Sequence, residues 1–164
     1  MLPKETIAKF DSFLAKRSLF LEAVVIGGTA LGLLGLVSRH TRDCDILFPE
    51  LPAAIVSAAK DFAAAARKEG NPLEDDWVNN GPFAVGDLLP EGWRERLQTI
   101  FQGKAIIMLT LGRNDLLLTK LFGLCDRGTD LGDCLALAPT AEELNSALAW
   151  LKKTGCKSGV AVAR

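Results

Sequence analysis

The chain has 164 residues, a length that one compact domain fills and that can bury a substantial core. Hydrophobic residues make up 49% and charged residues 24%, which excludes a disordered or low-complexity protein. A formal net charge of -1 excludes any global attraction to nucleic acid, so an RNA contact would need a local patch.

Pro3 sits where a first helical turn tolerates proline, and Ile7, Phe10, Phe13 and Leu14 give that helix an apolar face. Ala23 to Ile26 is a short apolar strand. Thr29 to Val37 reads as a helix whose Gly32 and Gly35 permit close packing on the sheet. Asp43 to Phe48 is expected as the second strand, ended by Pro49-Glu50. Ala53 to Lys68 is an alanine-rich helix with Ile55, Val56, Ala59 and Phe62 inward, stopped by Gly70-Asn71-Pro72. Glu74 to Gly81 reads as a loop, and Phe83 to Leu89 as a third strand carrying Asp87. An amphipathic helix is expected over Gly92 to Gln102, followed by a strand at Ala105 to Leu111. Asn114 is a candidate cap for a helix running to about Cys125, and Thr129 or Asp130 opens another. Thr140-Ala-Glu-Glu143 is a capping-box start to the last helix. The small-residue, basic tail over 156–164 is expected to fray. One domain is expected over 1–164, with a core at about 20–112 and a helical C-terminal part at about 113–155.

Cys44, Cys125, Cys134 and Cys156 form no CxxC pair, and His40 is the lone histidine, so a structural zinc site lacks ligands. Free thiols in a cytoplasmic protein are the expected state. The N-terminus reads as polar and helical rather than as a signal peptide. No apolar run reaches the roughly 18 residues of a membrane span.

The most telling stretch is Gly27-Gly28-Thr29-Ala30 followed by Arg39-His40-Thr41-Arg42-Asp43-Cys44-Asp45. A glycine pair ends an apolar run and opens a helix, where backbone N–H groups favour phosphate. Were Arg39 to Asp45 extended, Arg39, Thr41, Asp43 and Asp45 would share one face, with His40, Arg42, Cys44 and Ile46 on the other. Two neighbouring carboxylates suit Mg²⁺ or Mn²⁺, a hard ion that takes one or two such ligands together with substrate phosphates. Acid pairs in turns are also commonly just solvated.

Gly27-Gly28 and then Arg39-x-Thr41-x-Asp43-x-Asp45 resemble the signature of the nucleotidyltransferase (polymerase beta-like) superfamily. The segment from Asp115 through Lys120, Arg127 and Asp130 to Asp133 is similar to a second block of its small prokaryotic branch, related to AbiEii-like toxins of toxin–antitoxin systems. Thr129 stands where that branch has Lys or Arg. The resemblance implies an α/β (α+β) nucleotidyltransferase fold, with a small mixed central sheet flanked by helices. It implies Asp43 and Asp45 as ligands of Mg²⁺ or Mn²⁺, and Gly27, Gly28 and Thr29 as the seat of a nucleoside triphosphate. Arg39, Thr41 and Lys120 would face the phosphates, and Asp87 would be a third carboxylate, base or second-metal ligand. Asp130 and Asp133 would buttress the site or contact nucleotide. It further implies a tRNA, protein or small-molecule acceptor, and an antitoxin partner.

Each residue also has a plainer reading. Asp87 is equally a turn residue before Pro90, and Lys120 a snorkelling lysine on an apolar face. Arg39 could pair internally with Asp43, and Asp130 or Asp133 with Arg127 or Lys120. Trp93, with Arg94 and Arg96, is a base-stacking patch or a core anchor. A catalytically silent nucleotide- or protein-binding module on the same fold is the alternative function.

Overall fold

A computed structural model describes residues 2–155, so the tail expected to fray lies outside the described residues. The described residues form a mixed five-stranded sheet with helices on both faces, in agreement with the expected fold class. The first elements are α1 (Pro3–Ala15), β1 (Leu21–Ile26), α2 (Gly27–Leu33), β2 (Cys44–Phe48), α3 (Ala53–Lys68) and β3 (Val78–Asn79). Two 3₁₀ turns, Phe83–Asp87 and Trp93–Arg96, lead to β4 (Gln98–Gln102) and β5 (Ile106–Thr110). Three helices follow: α4 (Arg113–Arg127), α5 (Leu131–Ala136) and α6 (Ala141–Lys153). The strand order is β3-β2-β1-β5-β4. β1 runs antiparallel to β2 and parallel to β5, β2 is parallel to β3, and β4 is antiparallel to β5.

Because successive side chains alternate across a strand, central β1 buries both of its faces. Ala23 and Val25 join Cys44, Ile46, Ile106 and Met108 in a core under α1 and α3. Val24 and Ile26 join Leu47, Leu111, Leu116 and Leu117 in a second core under α4. In the first core Phe10, Phe62 and Trp77 pack ring against ring, and the Trp77 Nε1–H donates to the Ala59 carbonyl at 3.1 Å. Asp11 accepts from the backbone N–H groups of Lys104, Ala105 and Ile106, which ties α1 to the β4–β5 turn. Among the described residues no helix is long and apolar enough to cross a membrane.

Several expected elements change. The helix expected over Thr29–Val37 begins at Gly27 and stops at Leu33, because Gly35 takes a left-handed φ of 74° just beyond its end. Gly32 approaches Pro3 of α1 rather than the sheet: a Cβ on it would meet Pro3 Cγ at 2.8 Å. β2 starts at Cys44, so Arg39 to Asp43 form a loop and not an extended strand. The strand expected over Phe83–Leu89 is a 3₁₀ turn. The helix expected over Gly92–Gln102 divides into a 3₁₀ turn and edge strand β4, whose residues bond to β5. The loop expected over Glu74–Gly81 holds β3. Asn114 does not cap α4: its N-cap is Gly112, with no side-chain cap bond, and the helix runs on to Arg127. The capping box of Thr140 and Glu143 is present as expected.

Candidate active site

The end of β1 and the start of β2 lie side by side, with Ile26 registered opposite Asp45. That antiparallel pairing brings the glycine pair, which follows Ile26, against the aspartate segment. A cleft of about 850 Å³ opens there, walled by the Arg39–Asp45 segment, the turn at Gly81-Pro82, α4 and the entry to α5. Both glycines are required by close approach. A Cβ on Gly27 would stand 2.7 Å from Asp45 Oδ2, and one on Gly28 would stand 2.6 Å from Thr41 Cγ2. Gly27 also adopts a φ of 74°, in the left-handed region that favours glycine.

Gly27, Gly28, Arg39, Thr41, Asp43, Asp45, Lys120 and Asp130 all line this cleft, so the structure brings most of the expected residues together. Thr29 is different. It is buried, and its Oγ1 donates to the Asp43 carbonyl at 2.7 Å while lying 3.3 Å from the Thr41 hydroxyl. A hydroxyl has one hydrogen to give, so the Thr41 hydroxyl is the donor in that second contact. Thr29 therefore holds the aspartate loop from behind, and its side chain does not face a ligand. His40 and Arg42, expected on the opposite face, line the cleft as well, because the segment is a loop without strict alternation.

Asp87 is not among the cleft residues. It ends the 3₁₀ turn Phe83–Asp87 and is exposed, so it does not join Asp43 and Asp45 as a third carboxylate. The neighbour of Asp45 on the next strand is instead Asn79, registered beside it in the parallel β2–β3 pair. Sequence reasoning missed Asn79, since a two-residue strand leaves no periodic signal.

Burial, and after it the charge of Asp43, raises the Asp45 carboxyl above its ordinary range. A hydrogen bond from Asn79 and the charges of Lys120 and Arg127 act the other way without cancelling that rise. Asp43 and Asp45 belong to none of the ion pairs among the described residues. The acids near α5, by contrast, are paired. Lys120, buried on α4, donates from Nζ to Asp133 Oδ2 at 2.7 Å and to Asp130 Oδ1 at 3.4 Å. Arg39 Nη2 donates to both Asp133 oxygens at 2.8 Å. Arg127 reaches Asp130 at 3.3 Å. Burial acts to raise the Asp133 carboxyl, but the hydrogen bonds from Arg39 and Lys120 outweigh it and hold the group below its ordinary range. Arg39 thus pairs with Asp133 rather than with Asp43. Asp130 occupies the N-cap position of α5 without a capping bond.

The donor set suits a hard divalent ion. Among the described residues no group of three or more His, Cys, Asp or Glu side chains could hold a metal. Two carboxylates without a cation partner meet the needs of an ion that takes the rest of its shell from substrate phosphates and water. Cys44, which separates the two aspartates, is buried in the core, and burial pushes its thiol up. Trp93 is buried in the second core and Arg96 pairs with Asp115 at 2.7 Å. Of the expected stacking patch, Arg94 alone is free of those roles, and it lies over the Trp93 and Phe48 rings.

A glycine-led helix start beside an aspartate pair, on a mixed sheet with a helical C-terminal part, is consistent with a nucleotidyltransferase-like fold. Residues 5–137 match the family described as "Nucleotidyltransferase of unknown function (DUF6036)", and the chain belongs to that family. No curated protein matches the chain, and no solved structure does.

Proposed function

We propose that the chain is a divalent-metal-dependent nucleotidyltransferase, moving a nucleoside monophosphate from a triphosphate such as ATP to an acceptor hydroxyl. The observation that supports this most directly is the Asp43–Asp45 pair, lining the cleft without an ion-pair partner while the adjacent acids are paired. Asp43 and Asp45 would hold Mg²⁺ or Mn²⁺, which when bound offsets the charge of the phosphate oxygens. Gly27 and Gly28 leave the backbone open to a triphosphate, and Thr29 fixes the loop that carries Asp43. Arg39, half exposed, would meet phosphate oxygens at one wall, with Lys120 offsetting charge from the other.

In the reaction the acceptor oxygen bonds to the α-phosphorus. The bond from that phosphorus to its bridging oxygen breaks, pyrophosphate leaves with the electron pair, and the hydroxyl proton passes to solvent. Positioning and electrostatics carry such chemistry. Asp87 has no part in it. The finer reading is a cytoplasmic toxin held by an antitoxin over the cleft and acting on tRNA, protein or a small molecule; the resemblance of the Asp115–Asp133 block supports the toxin, and free thiols support the compartment.

The second reading is a catalytically silent nucleotide- or protein-binding module. It is favoured by Asp87 lying outside the cleft and by Arg39 and Lys120 both being engaged by Asp133. Label transfer separates the two readings. The protein is incubated with each α-labelled ribonucleoside triphosphate, Mg²⁺ or Mn²⁺, total tRNA and lysate protein, beside an Asp43→Ala/Asp45→Ala variant. Label in RNA or protein with the wild type alone is the expected result. Metal-dependent nucleotide binding without transfer would select the silent module.

A further inference from the structure

Asn79 adjoins the cleft without lining it, and its surroundings fix which way its amide points. The β2–β3 register sets Asn79 beside Asp45, while Cys44 and Val78 fill the core on the opposite face. In a parallel pair, registered side chains project to the same side, so the Asn79 amide and the Asp45 carboxylate are neighbours. Asn79 Oδ1 accepts the Gly81 backbone N–H at 2.7 Å. An N–H needs an oxygen, so the NH₂ end of the amide is left as the donor beside its registered neighbour Asp45, where it favours the ionised carboxylate. Gly81 permits that arrangement, since a Cβ there would stand 2.8 Å from the same oxygen.

The next residue holds the turn in place. Asn80 Nδ2 donates to the Ile46 carbonyl at 3.1 Å and the Pro49 carbonyl at 2.9 Å, and its Oδ1 accepts from the Leu51 N–H at 2.7 Å. The turn that follows Asn79 is thereby bound to β2 itself, the strand that carries Asp45. We propose that Asn79 is a positioning residue of the site: its amide, oriented by Gly81, fixes the Asp45 carboxylate for a divalent ion and its nucleotide. This rests on the function proposed above and adds to it a residue that touches no substrate. With its oxygen taken by Gly81, the amide presents Asp45 with a donor that supports the carboxylate, whereas a third acid would repel it.

The test uses the full chain and Mn²⁺ as probe, with and without ATP, following the loss of the free-ion paramagnetic signal. Asn79→Ala is expected to weaken Mn²⁺ binding by about 10–100-fold, the range for partners of metal ligands. A second measurement needs no substitution at position 79. The side-chain amide resonances of Asn79 are expected to move when Mg²⁺ is added to the wild type and to stay put when it is added to Asp45→Ala, a metal response that a purely structural role would not give. Wild-type protein that takes up no Mn²⁺ with ATP present would overturn the site reading and this assignment with it. Wild-type binding matched by Asn79→Ala within about two-fold, or a wild-type Asn79 amide insensitive to Mg²⁺, would overturn the assignment alone.

Discussion

Asp45 Oδ2 lies 2.7 Å from the point at which a Cβ on Gly27 would stand, so the two motifs of the chain meet in one contact. Gly27→Ala forces a side chain into a left-handed φ and against that carboxylate. The expected cost is about 1–3 kcal/mol of stability, together with loss of Mn²⁺ binding as Asp45 is displaced. Gly35→Ala is the control, because Gly35 has the same φ of 74° with nothing within 4 Å of its would-be Cβ. It is expected to lose stability and keep binding. Denaturant unfolding and Mn²⁺ titration of the two variants make the comparison.

Asp45 is a half-buried carboxylate raised by burial and by the charge of Asp43, and none of the ion pairs among the described residues includes it. Removing its charge therefore relieves the metal-free fold. Asp45→Asn is expected to gain roughly 1 kcal/mol, or about 2–4 °C in melting temperature for a chain of this size. The same variant is expected to lose the further rise that Mn²⁺ gives the wild type by binding the native state. Melting curves with and without Mn²⁺ read both effects, and an unchanged response to the ion would remove Asp45 from the site.

The parts of this site that the sequence made legible are those whose chemistry is local. Gly27-Gly28 and Asp43-x-Asp45 each lie within a few residues, and their spacing across one short helix survives into the cleft. Contacts made at long range were not legible in the same way. Arg39 and Asp133 are 94 positions apart, and no periodicity links a loop after α2 to the first turn of α5. Asp87 misled because Phe83 to Leu89 carries the apolar residues of a strand. The structure instead leaves Phe83 and Leu88 exposed on a 3₁₀ turn. Gln98 to Gln102 carries a helical pattern, yet its backbone pairs with β5, and that pairing overrides the local preference.

Lys120 and Asp133 form an ion pair with both side chains almost wholly out of water. Removing one member of such a pair strands the other, at a cost of about 3–5 kcal/mol. Asp133→Ala is expected at the lower end, since Asp130 remains 3.4 Å from Lys120. It also frees Arg39, whose guanidinium both Asp133 oxygens accept. Arg39→Ala is expected to cost about 1 kcal/mol or less, because that side chain is half exposed. Urea unfolding of the two variants tests the ranking, and equal losses would contradict it.

The pH dependence of stability has two limbs of opposite sign. Asp45 binds its proton more tightly in the folded chain than in the unfolded one. Over the interval between the unfolded value of 3.8 and its raised folded value, stability therefore increases as pH falls. Asp133 and Asp11 are shifted the other way. For both, burial acts to raise the carboxyl; hydrogen bonds from Arg39 and Lys120 outweigh it at Asp133, and those from Ala105, Lys104 and Ile106 at Asp11. Their contribution is fully present above 3.8 and is lost as pH falls below that value through their depressed folded values. Metal-free protein is thus expected to be most stable on the acid side of neutrality and to weaken steeply below pH 3.8. Urea midpoints measured from neutrality downward should show the rise vanish in Asp45→Asn and the fall soften in Asp133→Asn. A wild-type profile that only declines with acid would contradict an Asp45 carboxyl raised above its ordinary range.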